Sequence, residues 1–183
     1  MTLPNCAFYK VTMLRENRFS ALLVAAVLAA SAFVTEATGQ TRTVKRSGEW
    51  RVLAHDGPEG RICFAVATPK SSEPAAASNG AHFYISAWPK DGVRAEISVK
   101  TGVPLKAGAP ASIALDQTFY KAFSKGDRAY VIDTTDELKL LEAMKKGSTV
   151  MVVAQSEQGV ISKDTYSLSG LSQALQTVSA GCK

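Results

Sequence analysis

Two histidines are the first residues in this chain whose types could support catalysis. The pair His55-Asp56 has the composition of a general base with an orienting carboxylate. Asp56 also opens a dense cluster of turn formers, so we interpret it as a turn residue at a strand end. His82 begins an alternating segment beside a polar loop and is interpreted as a surface residue. The histidines have no partners of the right type at the short spacing of zinc sites, so the sequence predicts no metal centre.

Serine and aspartate side chains are the remaining candidates for chemistry. Ser167 and Ser169 could act as nucleophiles, but no G-x-S-x-G pattern supports a hydrolase. Both serines precede the apolar-periodic part of a predicted helix, where serine is typically an N-cap. Asp133, Asp136 and Asp164 could form a carboxylate pair, but no spacing argument joins them, and turn and helix-start roles suffice. The sequence therefore predicts no catalytic residue, no cofactor and a protein that is not an enzyme.

Aromatic residues give the best indication of a binding surface. The segment His82–Trp88 alternates, so Tyr84 and Trp88 share one strand face while Phe83 and Ile85 share the other. One of these pairs must lie outside the main core unless both faces are covered. Aromatic residues on sheets most often fill cores, whereas exposed ones mark ligand or protein surfaces. We identify Tyr84 and Trp88 as a possible binding surface.

The beginning of the chain has the three parts of a secretory signal peptide. The basic residues Lys10, Arg15 and Arg18 precede an apolar run at 21–33. The small residues Ala37 and Gly39 follow it at the expected cleavage site. The run is shorter than the roughly 20 residues that span a bilayer. We expect residues 1–39 to be cleaved after Sec-type export and residues 40–183 to form a single domain, periplasmic or otherwise exported.

The charge of the chain is mild and scattered. The formal net charge is +5, and the predicted leader carries three basic and two acidic residues, so cleavage lowers the charge by one. A nucleic-acid binder would show a dense basic stripe, so we exclude nucleic acid as a partner. No second apolar run approaches membrane-spanning length. Two groups of basic residues are interpreted as solvated faces, with contact to anionic envelope components as the alternative. They are Lys139, Lys145 and Lys146, which share one predicted helix, and Lys121, Lys125 and Arg128, which lie shortly before it.

The cysteines point to one disulfide bond. Cys6 lies in the predicted leader, which leaves Cys63 and Cys182 in the mature chain. In an exported chain bound for an oxidising compartment, two cysteines are typical of a disulfide, and a pair of buried free thiols is the alternative.

Hydrophobic periodicity predicts a strand-rich domain. The alternation of Val93–Lys100 is the clearest strand signal, and it forms a hairpin candidate with His82–Trp88. Further strands are expected at 49–55, 61–68, 111–115, 118–123, 128–132 and 149–154, with a last one reaching Tyr166. Residues 40–48 are expected to be loose and residues 69–80 to form a mobile surface loop. The expected fold is mainly β (α+β), an antiparallel β-sandwich or partly open barrel.

Two short helices complete the expected fold, near residues 135–146 and 169–180. Thr134 and Glu137 match a capping box, and Gly147 ends the first helix. The second helix follows Ser169, with Leu171, Ala174, Leu175 and Val178 on one face.

Four stretches carry a family resemblance: Trp50-Arg51-Val52, the segment from Tyr84 to Pro89, the segment from Ala143 to Ser148, and Asp164-Thr165-Tyr166-Ser167-Leu168-Ser169-Gly170 with its late cysteine. They resemble the invasion-associated locus B family over nearly all of the mature chain. The last third is the most specific part.

The resemblance implies an exported, envelope-associated protein of Gram-negative cells, in a family whose name comes from virulence-associated members linked to host-cell invasion. It offers no established catalytic residues. The expected function is non-enzymatic binding of an envelope or host protein, a glycan or a lipid surface. The alternative is a small exported enzyme or small-ligand carrier.

Overall fold

The protein is built on one curled antiparallel sheet, seen in a computed structural model that describes residues 39–75 and 79–182. Within these residues, eleven strands occur. They are β1 (Gln40–Ser47), β2 (Trp50–Gly57), β3 (Gly60–Ala67), β4 (Ser71–Glu73), β5 (His82–Trp88), β6 (Val93–Lys100), β7 (Ala111–Leu115), β8 (Thr118–Lys125), β9 (Arg128–Val131), β10 (Thr149–Gln155) and β11 (Ile161–Ser167). Two helices, α1 (Thr134–Met144) and α2 (Leu171–Gly181), accompany them. The predicted signal peptide, apart from Gly39, lies outside the described residues.

The strands follow the order β1-β2-β3-β5-β6-β9-β8-β7-β10-β11-β4, and the sheet does not close into a barrel. Every pairing is antiparallel. The predicted class, a mainly antiparallel β-fold with two short helices, is confirmed. The predicted hairpin forms as well, because β5 pairs with β6 from His82 opposite Lys100 to Trp88 opposite Val93.

The core lies on the concave face of the sheet, where distant strands meet. Trp50 of β2 contacts Phe83 of β5 edge-on at 6.0 Å between ring centroids, and Phe83 contacts Tyr166 of β11 at 5.4 Å. The Trp50 indole Nε1 donates a hydrogen bond to the Ser167 carbonyl at 3.0 Å. Aromatic pairs of this geometry stabilise a core beyond the area they bury, and here they join the two halves of the sheet.

Helix α1 begins one residue earlier than the capping box predicts. Asp133, not Thr134, is the N-cap, and its carboxylate accepts a hydrogen bond from Asp136 N at 3.0 Å. Glu137 is not free to complete a capping box because its carboxylate accepts the backbone N–H of Ile97 at 2.6 Å. The β6–β9 pairing ends at Ser98, so Glu137 supplies the acceptor that the neighbouring strand no longer provides.

Helix α2 also begins without the predicted serine cap. Its N-cap is Gly170, in a left-handed conformation with φ 86°, and no side chain caps the helix. Ser169 therefore is not the N-cap. The glycine is required because the turn between β1 and β2 crosses this point, where a Cβ on Gly170 would overlap the backbone of Ser47. Glu49 N donates to the Ser169 carbonyl at 3.1 Å across the same crossing.

Two segments that were expected to be loop contain strands. Residues 40–47 form β1, which pairs with β2 along its length, and Ser71–Glu73 forms β4 on β11. Both are edge strands held by backbone hydrogen bonds. Seven of the eight residues of β1 are exposed, so no apolar alternation exists to indicate a strand.

Cys63 and Cys182 form the predicted disulfide, with their Cα atoms 5.8 Å apart. It attaches the end of α2 to β3. The bond indicates an oxidising compartment.

Candidate functional site

The convex face of the sheet carries a continuous groove, here called the outer groove. One part encloses about 270 Å³ and is lined by residues of β3, β5, β6 and β9, among them Phe64, Tyr84 and Arg128. A second, more open part has a volume of about 490 Å³ and is lined by Asp91, Phe123 and Lys125 among others. The two parts share the lining residues Trp88, Glu96 and Tyr130.

The alternation of β5 explains why aromatic rings line this groove. Phe83 and Ile85 are fully buried on the concave side, so Tyr84 and Trp88 point to the convex side and remain partly exposed. Both line the same part of the groove. The predicted division of the two strand faces is therefore observed. That the groove-facing pair binds a partner remains a prediction.

Aromatic rings contact one another along the groove walls. Phe64 and Tyr84 lie 6.0 Å apart between ring centroids, and the Arg128 guanidinium lies 5.0 Å above the Tyr84 ring. Phe123 and Tyr130 are stacked at 5.3 Å with an interplanar angle of 22°. A cation over an aromatic face is attracted by the ring quadrupole, and this attraction holds Arg128 against the groove wall.

Two opposite charges face the groove without forming an ion pair. Burial raises the pKa of the Glu96 carboxyl, and the positive charge of Arg128 opposes that shift. Among the residues that the structure describes, neither side chain has an ion-pair partner within 4.0 Å. Polar groups that are free to bind, set between aromatic walls, are the composition of a ligand site. A carboxylate and a guanidinium can bind hydroxyl, amide or charged groups while the rings cover apolar surface.

The histidines lie in two unrelated environments. His55 Nδ1 hydrogen-bonds with Thr41 Oγ1 at 2.8 Å, and the adjacent Asp56 forms an ion pair with Arg61 at 2.6 Å. The hydrogen bond and the charge of Arg61 lower the pKa of Asp56. His82 Nδ1 hydrogen-bonds with the Gly80 carbonyl at 2.9 Å. Asp56 therefore pairs with arginine and does not orient a histidine base.

The serine and aspartate candidates are not brought together. Ser167 Oγ accepts a hydrogen bond from Ser169 N at 3.2 Å, a local turn contact within the β11–α2 connection. Asp133 and Asp136 lie at the exposed start of α1, whereas Asp164 is buried on the concave side of β11. The arrangement provides no nucleophile with an adjacent base among these five residues.

Sequence reasoning did not place Glu96, Arg128 and Tyr130 in one site with Tyr84 and Trp88. The alternation of β6 predicted that Glu96 lies on its polar face, but alternation within one strand does not show which strand lies beside it. The neighbour is β9, three elements later in the fold, with Ser98 opposite Tyr130. Non-local pairing of this kind leaves no signal in a single sequence.

Other features of the described residues add no second site of comparable chemistry. A cavity of about 540 Å³ lies beside the disulfide, and Arg94 is its single charged lining residue. Among residues 39–75 and 79–182, no cluster of three His, Cys, Asp or Glu side chains could hold a metal ion. Over the same residues, no helix combines the length and the apolarity needed to cross a membrane.

The fold and the groove define a class of protein: a disulfide-bonded, curled antiparallel sheet with two helices and an aromatic surface groove. The chain belongs to the family described as Invasion associated locus B (IalB) protein, which matches residues 50–179. It is similar in fold to the crystal structure of invasion associated protein B from Bartonella henselae, at 15% identity and a TM-score of 0.51. That likeness covers 74% of this chain and 95% of the other. No curated protein matches the chain.

Proposed function

We propose that this protein is an exported, non-enzymatic protein of the cell envelope that binds its partner through the outer groove. The groove itself is the observation that carries the proposal. It combines the aromatic walls of Tyr84 and Trp88 with the unpaired charges of Glu96 and Arg128. Membership of the invasion-associated family and the disulfide support an exported role in contact with the envelope or a host.

A photocrosslinking experiment in intact cells tests the groove. A photoreactive residue at Lys125, an exposed position on the groove wall, is expected to give a defined adduct. The same residue at Gln173, exposed on α2, is the matched control and is expected to give none. Trp88→Ala or Tyr84→Ala, each checked by thermal melting, is expected to abolish the Lys125 adduct. Equal adducts at both positions, or adducts that persist in both alanine variants, would contradict the proposal.

Export is tested separately by the mass of the protein in the periplasmic fraction. We expect an N-terminus between Ala37 and Gln40, because the small residues at Ala37 and Gly39 follow the apolar run. Full-length chain recovered in the inner membrane would contradict it.

A small-ligand carrier is the second candidate function. The larger part of the groove has a volume of about 490 Å³ and is open to solvent, and this volume is in the range of small-molecule sites. The same crosslinking experiment separates the two candidates. A protein or glycan partner gives a large adduct, whereas a carried small molecule shifts the mass of the protein by only a few hundred daltons.

A further inference from the structure

The convex faces of β8 and β9 present an unusual alternation of apolar and basic side chains. Along β8, Phe119, Lys121, Phe123 and Lys125 all point outward, since Tyr120 and Ala122 are buried on the other side. We call the outward residues of these two strands, together with Ile132, the β8–β9 face. It borders the outer groove at the stacked pair of Phe123 and Tyr130.

The apolar side chains of the β8–β9 face are unusually exposed to solvent. Phe119 is 66% exposed, Ile132 61% and Phe123 46%. The backbone N–H of Ile132 donates to the Lys121 carbonyl at 3.1 Å, so Ile132 lies directly beside β8. Single exposed apolar residues need no explanation, but a contiguous group on one sheet face marks an interaction surface.

The charge of this face has one sign. Lys121, Lys125 and Arg128 are its charged members, and neither strand, both lying wholly within the described residues, places a carboxylate on it. Asp127, in the turn that joins the strands, is engaged by Lys100 at 3.6 Å. No ion pair among the described residues uses Lys121, Lys125 or Arg128. The side chains of the two strands therefore complement an anionic surface, and the nearby carboxylates of Asp91 and Glu96 line the adjoining groove.

We propose that the β8–β9 face docks the protein on an anionic phospholipid surface. Exposed aromatic and aliphatic side chains enter the boundary between headgroups and acyl chains, and neighbouring basic side chains remain at headgroup level. Phe119, Phe123 and Ile132 supply the first element, and Lys121, Lys125 and Arg128 supply the second. The docking surface meets the groove at Phe123, Lys125 and Arg128, which belong to both, so a partner bound between Tyr84 and Trp88 would be held next to the membrane.

Vesicle flotation of the purified mature protein, which begins at about Gln40, tests the proposal directly, because the basic and apolar leader would bind vesicles by itself. We expect flotation with vesicles of equal parts phosphatidylglycerol and phosphatidylcholine, and little flotation with phosphatidylcholine alone. Lys121→Gln is expected to weaken binding roughly fivefold, the contribution of one basic residue near such a surface. The effect should shrink at high salt, where the Debye length is about 3 Å.

Phe119→Ser tests the apolar part, and it should weaken binding severalfold without changing the salt dependence. The matched controls are Leu138→Ser, which is 58% exposed on α1, and Lys146→Gln, which is exposed beyond the end of that helix. Both controls should bind as the unaltered protein does.

Three results would overturn the proposal. They are equal flotation with neutral vesicles, no flotation with anionic vesicles, and losses in the two controls as large as those in the face variants. A protein partner on this face would produce the second result. Trp88→Ala should leave flotation unchanged, so failure of membrane docking and failure of the groove proposal remain distinguishable.

Discussion

Asp164 places an acidic group inside the core, and its surroundings shift the pKa of its carboxyl. Only 1% of the residue is exposed, and its Oδ1 atom finds no hydrogen-bond partner among the described residues. Burial raises the pKa of this carboxyl because the charged form loses its hydration, and the neighbouring Ser72 hydroxyl opposes part of that shift. The folded protein therefore holds a proton on Asp164 more tightly than the unfolded chain does. Protonation stabilises the fold fully below the ordinary aspartate pKa of about 4, and that stabilisation is lost as pH rises through the raised value.

Replacing Asp164 by asparagine should remove this pH dependence. The amide has nearly the same shape and stays neutral, so Asp164→Asn should raise the free energy of unfolding at pH 7, where a charged carboxylate at this site lacks its hydration. Near pH 4 the gain should be much smaller. Urea denaturation at both pH values measures it, with the exposed Asp91→Asn as a control that shows no such difference. A variant that is less stable at both pH values would contradict the prediction that a charged Asp164 destabilises the fold at neutral pH.

Glu137 is the residue that joins α1 to the sheet by a single hydrogen bond to Ile97 N. Glu137→Ala leaves that N–H, on a fully buried residue, without its acceptor and should cost about 1–3 kcal/mol of stability. Glu137→Gln keeps an acceptor and should cost less. Glu142→Ala, on the exposed side of the same helix, is the control and should change stability by no more than a few tenths of a kcal/mol. Equal losses at Glu137 and Glu142 would show that the link to Ile97 contributes nothing.

At the scale of elements, the crossing of Gly48 and Gly170 fixes how the β1–β2 turn meets the start of α2. Both glycines have positive φ, at 56° and 86°. A Cβ on either would overlap the backbone of the other segment. Side chains of any size are excluded here, so the two backbones can approach closely enough for the Glu49–Ser169 hydrogen bond.

Gly170→Ala should therefore destabilise the protein by about 2–5 kcal/mol, because overpacking adds to the cost of a left-handed alanine. Gly108 provides the comparison. It also has positive φ, 72°, but a Cβ there meets nothing within 4 Å. Gly108→Ala should cost only the backbone strain, about 1–2 kcal/mol. Thermal melting of the two variants separates the contributions, and a smaller loss at Gly170 than at Gly108 would contradict the crossing.

Most elements could be predicted from the sequence because periodicity is a local property. Alternation defined β5 and β6, and the change to a helical period defined α1 and α2. The helix caps could not be predicted, since Glu137 and Ser169 make contacts with residues far along the chain. Strand β1 left no signal because its backbone, not its side chains, holds it in the sheet. The alternation of β5 predicted that Tyr84 and Trp88 share one face, and both line the groove. Arg128 and Tyr130 also line it, but their place there depends on β9 pairing with β6, which the sequence does not show.

At the scale of the whole molecule, the disulfide closes a loop between residues 119 positions apart. In the chain-entropy account, removing such a long loop constraint should lower the free energy of unfolding by about 2–5 kcal/mol. Cys63→Ala combined with Cys182→Ala tests this by urea denaturation. A reductant should destabilise the unaltered protein by a similar amount and leave the double variant unchanged. A reductant that affects both proteins equally would show that the loss has another cause.

The connections between the two halves of the chain also determine when it can fold. The Trp50–Ser167 hydrogen bond spans 117 positions, the disulfide spans 119, and the glycine crossing joins the same two regions. None of them can form before the end of β11 has been synthesised, and the disulfide also requires the whole of α2. Pairings this distant make a chain fold slowly. For the export route proposed above, such a delay is an advantage. A polypeptide that has not yet collapsed remains thin enough to be threaded through a translocation pore, and its native structure forms after it arrives on the far side.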